Sequence, residues 1–338
     1  MRHVNIPIFI PHLGCPNQCI FCNQRYISGT VNFDESSVEK IIEDVLSTVN
    51  YEDQCEIAFF GGSFTGIDRE PMIRLLDKAQ SYVDKGRVVG IRMSTRPDYI
   101  NEEIISILKN YTISFVELGI QSMKDNVLSY LKRGHTACDT VLAAKLLNNA
   151  SIKFIGQMMV GLPTATIEDE LFTAQEICNL GASGSRIYPT LVFKNTELEK
   201  ITNNYEYIPL SLEDAVERTA KVLSTFIKHD VPCIRIGLCE SDNLHSSDTY
   251  VAGPNSPSIG EMVKSRVYFD LIFNKLENKK FSTDVLIIEC PIGATSQIIG
   301  NKRQNVEKIK KRFGFKDIKV KENASLMQYQ IILKEKEE

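Results

Sequence analysis

Apolar and polar residues alternate in blocks along the first 240 residues. Short apolar runs of strand length are separated by longer stretches whose apolar residues recur every three or four positions, as in an amphipathic helix. The runs are VNIPIFI, CEIAFFGG, VVGIRMST, ISFVELGIQS, IKFIGQMMVGLP and SRIYPTLV. The helical stretches between them are DESSVEKIIEDVLSTV, REPMIRLLDKAQSYV, NEEIISILKN, CDTVLAAKLLNNA and TIEDELFTAQEICNL.

Nearly continuous apolar strands that alternate with helices are typical of a parallel sheet covered on both faces. Because βαβ crossovers are right-handed, the six units are expected to curl into an open or partial barrel. A further helix, SLEDAVERTAKVLSTFIKHD, and a seventh strand, PCIRIGL, follow the sixth run. The sequence therefore predicts an α/β fold with a partial (β/α)6 barrel over residues 1–253.

The pattern changes after residue 253. A helical stretch, EMVKSRVYFDLIFNKLENK, leads to the strand pattern DVLIIEC, the helix RQNVEKIKKRF and two short strand patterns, DIKVKE and QYQIIL. The segment VAGPNSPSIGE, rich in glycine and proline, marks the boundary. Residues 254–338 are thus predicted to form a helix and a small basic α/β unit.

Composition narrows the class of protein. The chain has 338 residues, of which 43% are hydrophobic, and no apolar run approaches the roughly 20 residues that cross a membrane. We expect a soluble, cytoplasmic protein. A net charge of −4 argues against a wholly basic nucleic-acid binder but leaves room for a local basic patch. The nine cysteines are an odd number and do not resemble a secreted disulfide scaffold.

Three of these cysteines, Cys15, Cys19 and Cys22, lie in the loop that follows the first predicted strand. That loop is at the edge of the sheet where α/β barrels build active sites. Three thiolates bound to a cubane of four irons leave one iron open to another ligand. A zinc site is the alternative, and it requires a fourth ligand such as His12 or a distant cysteine.

The segment CPNQCIFC, with an aromatic residue before its last cysteine, resembles the cluster motif of the radical S-adenosylmethionine (SAM) enzymes. The resemblance implies a 4Fe-4S cluster held by Cys15, Cys19 and Cys22, with SAM bound at the open iron. It also implies an electron donor such as flavodoxin or ferredoxin. In that family an electron from the cluster cleaves SAM to methionine and a 5'-deoxyadenosyl radical.

Five further motifs, GGSF, STRPD, ELGIQS, RGHT and YPTLV, occur in the order seen in the radical domain of the Elongator catalytic-subunit family. The resemblance covers roughly residues 8 to 240. It implies SAM contacts from residues at strand ends, namely Gly61, Gly62, Ser63, Ser94, Arg96, Glu117 and Gln121. Ser63 replaces the glutamate that the superfamily often has there. For Arg96 the alternative is a structural bridge to Asp98 or Glu117.

Three other residues carry open alternatives. His135 in RGHT is either a proton carrier or substrate contact, or a residue that orders the loop. Tyr188 in YPTLV is either a substrate contact or radical relay, or a packed strand tyrosine. Cys239 is either a second redox thiol or a buried apolar residue.

The C-terminal unit is strongly basic. Residues 298–321 hold nine lysines and arginines against two acidic residues, an excess of 9 − 2 = +7. Lys302, Arg303 and Lys310 are predicted to bind RNA, in a segment that resembles the glycine loop and helix of a KH domain but lacks its second glycine. A solvated basic face is the alternative.

The leading hypothesis is a radical SAM enzyme that modifies an RNA nucleoside in tRNA or rRNA. The alternatives are a radical enzyme for a small molecule or peptide and a non-catalytic, cluster-bearing chaperone. Acetyl transfer is not implied, because the Elongator subunit continues into an acetyltransferase domain and only about 85 residues follow the boundary here.

Overall fold

The computed structural model describes residues 2–15, 19–24, 33–238, 248–278, 281 and 284–335. Cys239 lies outside these residues. The described chain contains a large parallel sheet, a small mixed sheet and a short antiparallel ribbon. No helix among the described residues has the length and apolar character to cross a membrane.

The large sheet has seven strands in the order β1-β2-β3-β4-β5-β6-β8, and every neighbouring pair is parallel. Its strands are β1 (His3–Phe9), β2 (Gln54–Phe60), β3 (Gly90–Thr95), β4 (Ile113–Gln121), β5 (Phe154–Val160), β6 (Gly184–Pro189) and β8 (Cys233–Ile236). The ribbon pairs β7 (Val192–Phe193) with β9 (Tyr250–Ala252). The sheet curls into a half-barrel, so the predicted α/β partial barrel is confirmed.

Helices connect the strands, and their starts follow from local sequence. They are α1 (Val38–Leu46), α2 (Arg69–Asp84), α3 (Glu102–Leu108), α4 (Asp125–Tyr130), α5 (Ala137–Asn149), α6 (Ile167–Asn179), α7 (Glu197–Asn203) and α8 (Leu212–Lys228). Thr136 and Thr166 begin α5 and α6 with reciprocal capping boxes, in which each threonine side chain accepts a hydrogen bond from the third helical residue. Such caps satisfy N–H groups that the helix itself leaves unpaired.

The small sheet has the order β11-β10-β12 and lies in the C-terminal part of the chain. Its elements are α9 (Ile259–Glu277), β10 (Val285–Cys290), α10 (Thr295–Ile299), α11 (Gln304–Phe313), β11 (Asp317–Glu322) and β12 (Ile332–Glu335). Helix α9 joins the two parts, because Val263 and Val267 pack into the barrel core whereas Tyr268 and Ile272 pack into a second core under the small sheet. A boundary between residues 253 and 254 stays a prediction.

Candidate active site

Most of the residues predicted to bind the cluster and SAM lie at one edge of the large sheet, because all its strands are parallel and their carboxyl ends lie together. Cys15 follows β1, Gly61 follows β2 and Arg96 follows β3. Gln121 ends β4, and Tyr188 is the last residue but one of β6. We call this edge the rim of the barrel.

Packing and hydrogen bonds hold Ile20 in the cysteine loop. Ile20, between the second and third cysteines, is buried against Leu131 and Leu198 in a separate apolar cluster. Its N–H donates to the Leu131 carbonyl (3.2 Å), and its carbonyl accepts from the Leu198 N–H (2.8 Å). His12 Nε2 accepts from the Gln24 N–H at 3.1 Å, a contact that orders the loop. The apolar residue inside the cysteine motif thus anchors the loop to α4 and α7.

Glycines let the loops after β1 and β2 touch backbone to backbone. A Cβ on Gly62 would lie 2.4 Å from the Leu13 carbonyl oxygen, and one on Gly14 would lie 2.2 Å from the Ser63 carbonyl oxygen. Ser63 is buried, its N–H donates to the Leu13 carbonyl (2.9 Å), and its Oγ is 3.5 Å from Cys15 Sγ. Gly61 has a φ of +90° at the start of this turn. The predicted GGS segment therefore supports the cysteine loop directly.

The thiols of Cys15 and Cys19 lie close enough to that of Cys22 to affect its protonation. Burial, followed by the charges of Cys19 and Cys15, raises the pKa of Cys22 to about 12. The Cys22 thiol is therefore protonated at neutral pH, so iron has to displace its proton to bind. Three sulfurs in one loop are the donor set of an iron–sulfur cluster. Among the described residues no three His, Cys, Asp or Glu side chains form a ready-made metal site, so the cluster assignment depends on this donor set and on the family.

Arg96 is buried at the rim, with 2% of its surface exposed. Its Nε and Nη2 donate to the two carboxylate oxygens of Asp98 at 2.9 and 2.7 Å, so the structural bridge to Asp98 is present. The Nη1 group is also buried and has no hydrogen-bond partner among the described residues. Because an unpaired buried guanidinium N–H is unfavourable, this group fits a contact with a bound carboxylate.

Gln121 and His135 are two further buried polar residues at the rim. Gln121 has a φ of +64°, at a shift in the β4–β5 register, and its Oε1 has no hydrogen-bond partner among the described residues. Burial and the charge of Arg133 lower the pKa of His135 to about 4. His135 is therefore neutral at neutral pH. Ser94 is half-buried and is the last residue but one of β3, so it also lies at the rim.

Glu117 is held differently from the other predicted SAM contacts. Its Oε1 accepts from Arg92 Nη1 (3.0 Å) and Arg186 Nη2 (2.8 Å), and its Oε2 accepts from Gln157 Nε2 (2.6 Å). Arg92 also pairs with Glu56 at 2.6 Å. Strands β2 to β6 thus each contribute one side chain to a buried network within the sheet. Glu117 pairs with Arg92 and Arg186 rather than with Arg96.

Tyr188 lies two residues after Arg186 on β6, so the two side chains share one face of the strand. It is half-buried, so it adjoins both the buried network and the rim. This position is compatible with either predicted role of the tyrosine.

The sequence reasoning missed Arg133, the arginine of the RGHT motif. Its Nη1 donates to Cys19 Sγ at 3.3 Å, and its Nη2 donates to the Gly119 carbonyl at 2.8 Å. The signal was present in the motif, but a single sequence does not tell which of its residues faces the cysteines.

The predicted RNA-binding residues lie on the small unit instead. Lys302 and Arg303 are exposed just before α11, with φ angles of +49° and +63°. Lys310 is half-buried within α11, and its Nζ is 3.9 Å from a Glu307 carboxylate oxygen.

Family models identify the class of protein. The model described as the radical SAM superfamily matches residues 9–177, and that of the radical SAM C-terminal domain matches residues 182–268. The chain belongs to the radical SAM superfamily. It is an enzyme of that superfamily, whose cofactors are a 4Fe-4S cluster and SAM. Together these cofactors supply a 5'-deoxyadenosyl radical when bound.

Within the superfamily the chain is homologous to the radical domain of Elongator complex protein 3. It is 30% identical over 210 residues to the tRNA uridine(34) acetyltransferase of Methanocaldococcus infernus, which covers 55% of this chain and 39% of that protein. The human Elongator complex protein 3 is 28% identical over 203 residues, which cover 54% of this chain and 37% of that protein. An uncharacterized protein of Methanocaldococcus jannaschii is 28% identical over 257 residues, which cover 72% of this chain and 76% of that protein.

A solved structure supports the fold. The archaeal Methanocaldococcus infernus Elp3 with an N-terminal deletion aligns with a TM-score of 0.62 at 23% identity, covering 81% of this chain and 63% of that one. The chain thus spans less than two fifths of the length of the tRNA uridine(34) acetyltransferase and of the human Elongator complex protein 3, and under two thirds of the length of this solved structure.

Proposed function

We propose that this radical SAM enzyme modifies an RNA nucleoside, in tRNA or rRNA, in the cytoplasm. Cys15, Cys19 and Cys22 hold the cluster, and a donor such as flavodoxin or ferredoxin supplies the electron. The observation that carries the RNA assignment is the concentration of cations on α11 and the loop before it. The names of the relatives, a tRNA uridine(34) acetyltransferase and Elongator complex protein 3, agree with it.

The basic surface results from the way α11 packs. Val306 and Ile309 face the second core, whereas Lys308, Lys311 and Arg312 are exposed to solvent. Among the described residues, Lys302, Arg303 and Lys311 form no salt bridge, whereas Lys316 pairs with Asp284 at 2.6 Å. Cations without a protein partner are available to phosphates.

The direct test compares modified nucleosides from cells with and without the gene by mass spectrometry. The loss of one modified nucleoside supports the proposal and names the product. An unchanged nucleoside profile, together with SAM cleavage stimulated by small metabolites and not by total RNA, contradicts it.

Neutralising Lys302, Arg303 and Lys310 with glutamine is expected to weaken RNA binding. Each lost phosphate contact reduces the slope of log affinity against log salt by nearly one unit, so the triple variant should lose about two to three units. RNA binding at several salt concentrations measures the slope.

The matched control replaces Lys40, Lys145 and Lys228, three exposed lysines on the barrel helices, with glutamine. This control makes the same change in net charge and should leave the slope unchanged. Equal slopes in both triple variants and the wild type would identify α11 as a solvated basic face.

In the barrel, we propose that Arg96 Nη1 binds the SAM carboxylate, with Gln121, Ser94 and the Gly61–Ser63 turn around the ligand. His135 is then a proton carrier in its neutral form, and Tyr188 is a substrate contact. The buried and unpartnered Nη1 supports the Arg96 assignment.

Arg96→Ala is expected to weaken SAM binding roughly tenfold or more, because a hydrogen bond to a charged group contributes about 1.5–3 kcal/mol. The cluster spectrum should be unchanged. Isothermal titration of the reconstituted enzyme with SAM measures the affinity. Arg69→Ala, which removes a half-buried arginine paired with Glu103, is the control. An unchanged affinity with a lower melting temperature would show that Arg96 only bridges to Asp98.

A further inference from the structure

Arg133 connects the cysteine loop to the end of β4. Its guanidinium donates from Nη1 to Cys19 Sγ (3.3 Å) and from Nη2 to the Gly119 carbonyl (2.8 Å). The side chain is 9% exposed, and its buried Nε has no hydrogen-bond partner among the described residues. No carboxylate among the described residues forms a salt bridge with it.

The surrounding backbone makes room for this arrangement. A Cβ on Gly119 would lie 2.6 Å from Arg133 Nη2, so the guanidinium occupies space that only a glycine leaves open. Arg133 lies between Lys132 and Gly134, which have φ angles of +53° and +76°. A turn of this kind directs the arginine inward while Lys132 stays at the surface, paired with Glu197.

A buried cation without a carboxylate partner is unfavourable unless a negative group lies beside it. The sulfur of a cysteine that ligates a cluster is such a group, and Cys19 Sγ lies 3.3 Å from Arg133 Nη1. Hydrogen bonds to ligand sulfurs and the net charge around a cluster set its reduction potential. A one-electron reduction adds one negative charge, and a nearby cation stabilises the reduced form more than the oxidised form.

We propose that Arg133 is a positioning residue that raises the reduction potential of the cluster through its charged hydrogen bond to Cys19. It eases transfer of the electron from the external donor without contacting SAM or the substrate. This inference rests on the proposed ligation of the cluster by Cys19.

The test is a redox titration of the reconstituted enzyme without SAM, with the reduced cluster followed by electron paramagnetic resonance. At a fixed solution potential, Arg133→Gln is expected to lower the ratio of reduced to oxidised cluster about tenfold, which corresponds to 59 mV for one electron. Arg133→Lys keeps the charge but loses the two-pronged geometry, and it should show a smaller decrease. Iron content is measured on each sample.

Arg87→Gln is the matched control. Arg87 lies just before β3, at the end of the strand opposite to the rim, and the change removes one charge and a guanidinium hydrogen bond to the Leu46 carbonyl. It should leave the ratio unchanged. A ratio in Arg133→Gln equal to that of the wild type, with full iron content, overturns the inference. If Arg133→Gln fails to assemble a cluster, an Arg133→Lys ratio equal to that of the wild type overturns it. A full cluster in Cys19→Ala instead contradicts the ligation, so the two failures are distinguishable.

Discussion

Replacing Cys15, Cys19 or Cys22 with alanine is expected to abolish formation of 5'-deoxyadenosine from SAM. Each thiolate is a ligand of the proposed cluster, and two thiolates do not hold a cubane with one defined open iron. Anaerobic reconstitution should give about four irons per wild-type chain and far fewer per variant chain. Chromatography of the reaction and iron analysis of the same samples measure both effects.

Cys138→Ala provides the control, because Cys138 is an exposed cysteine near the start of α5. It should keep both iron and activity. Full activity in any variant of the triplet would contradict the cluster assignment. So would one zinc per chain in place of iron, because zinc does not supply an electron.

The fold was predictable because its signal is local and repeated. Each strand of the barrel is a nearly unbroken apolar run, and each helix buries one face, so the order of elements alone implies a parallel sheet. The same reasoning places the cysteines, Arg96 and Gln121 at one edge. Carboxyl ends of parallel strands meet wherever the register lies, so no knowledge of side-chain contacts is needed.

The buried network was not predictable, because it depends on register. The sequence shows arginines at positions 92 and 96, and either can face Glu117 until the β3–β4 register is known. The structure aligns Ser94 with Glu117. Arg92, two residues before Ser94 on β3, then places its Nη1 3.0 Å from Glu117 Oε1. Arg133 was missed for a related reason: its contact with Cys19 spans 114 residues, and no local pattern reports such a contact.

Glu117→Ala is expected to lower the free energy of unfolding by about 3–5 kcal/mol, because it removes the carboxylate shared by two buried arginines. Arg92 keeps Glu56 as a partner, but Arg186 loses its salt bridge. Urea unfolding of the apoprotein measures the change. Glu117→Gln should be destabilising too, since the amide keeps the shape but not the charge.

Glu103→Ala is the comparison, because Glu103 pairs with Arg69 at the surface and its loss should change stability far less. SAM affinity separates the two assignments of Glu117. If Glu117 only joins β3, β4 and β6, its removal lowers stability, but the folded fraction of the variant binds SAM as tightly as the wild type. If Glu117 contacts SAM directly, its removal weakens SAM binding in that fraction. Weakened binding with unchanged stability would place Glu117 in the SAM site and make Arg92 and Arg186 its supports.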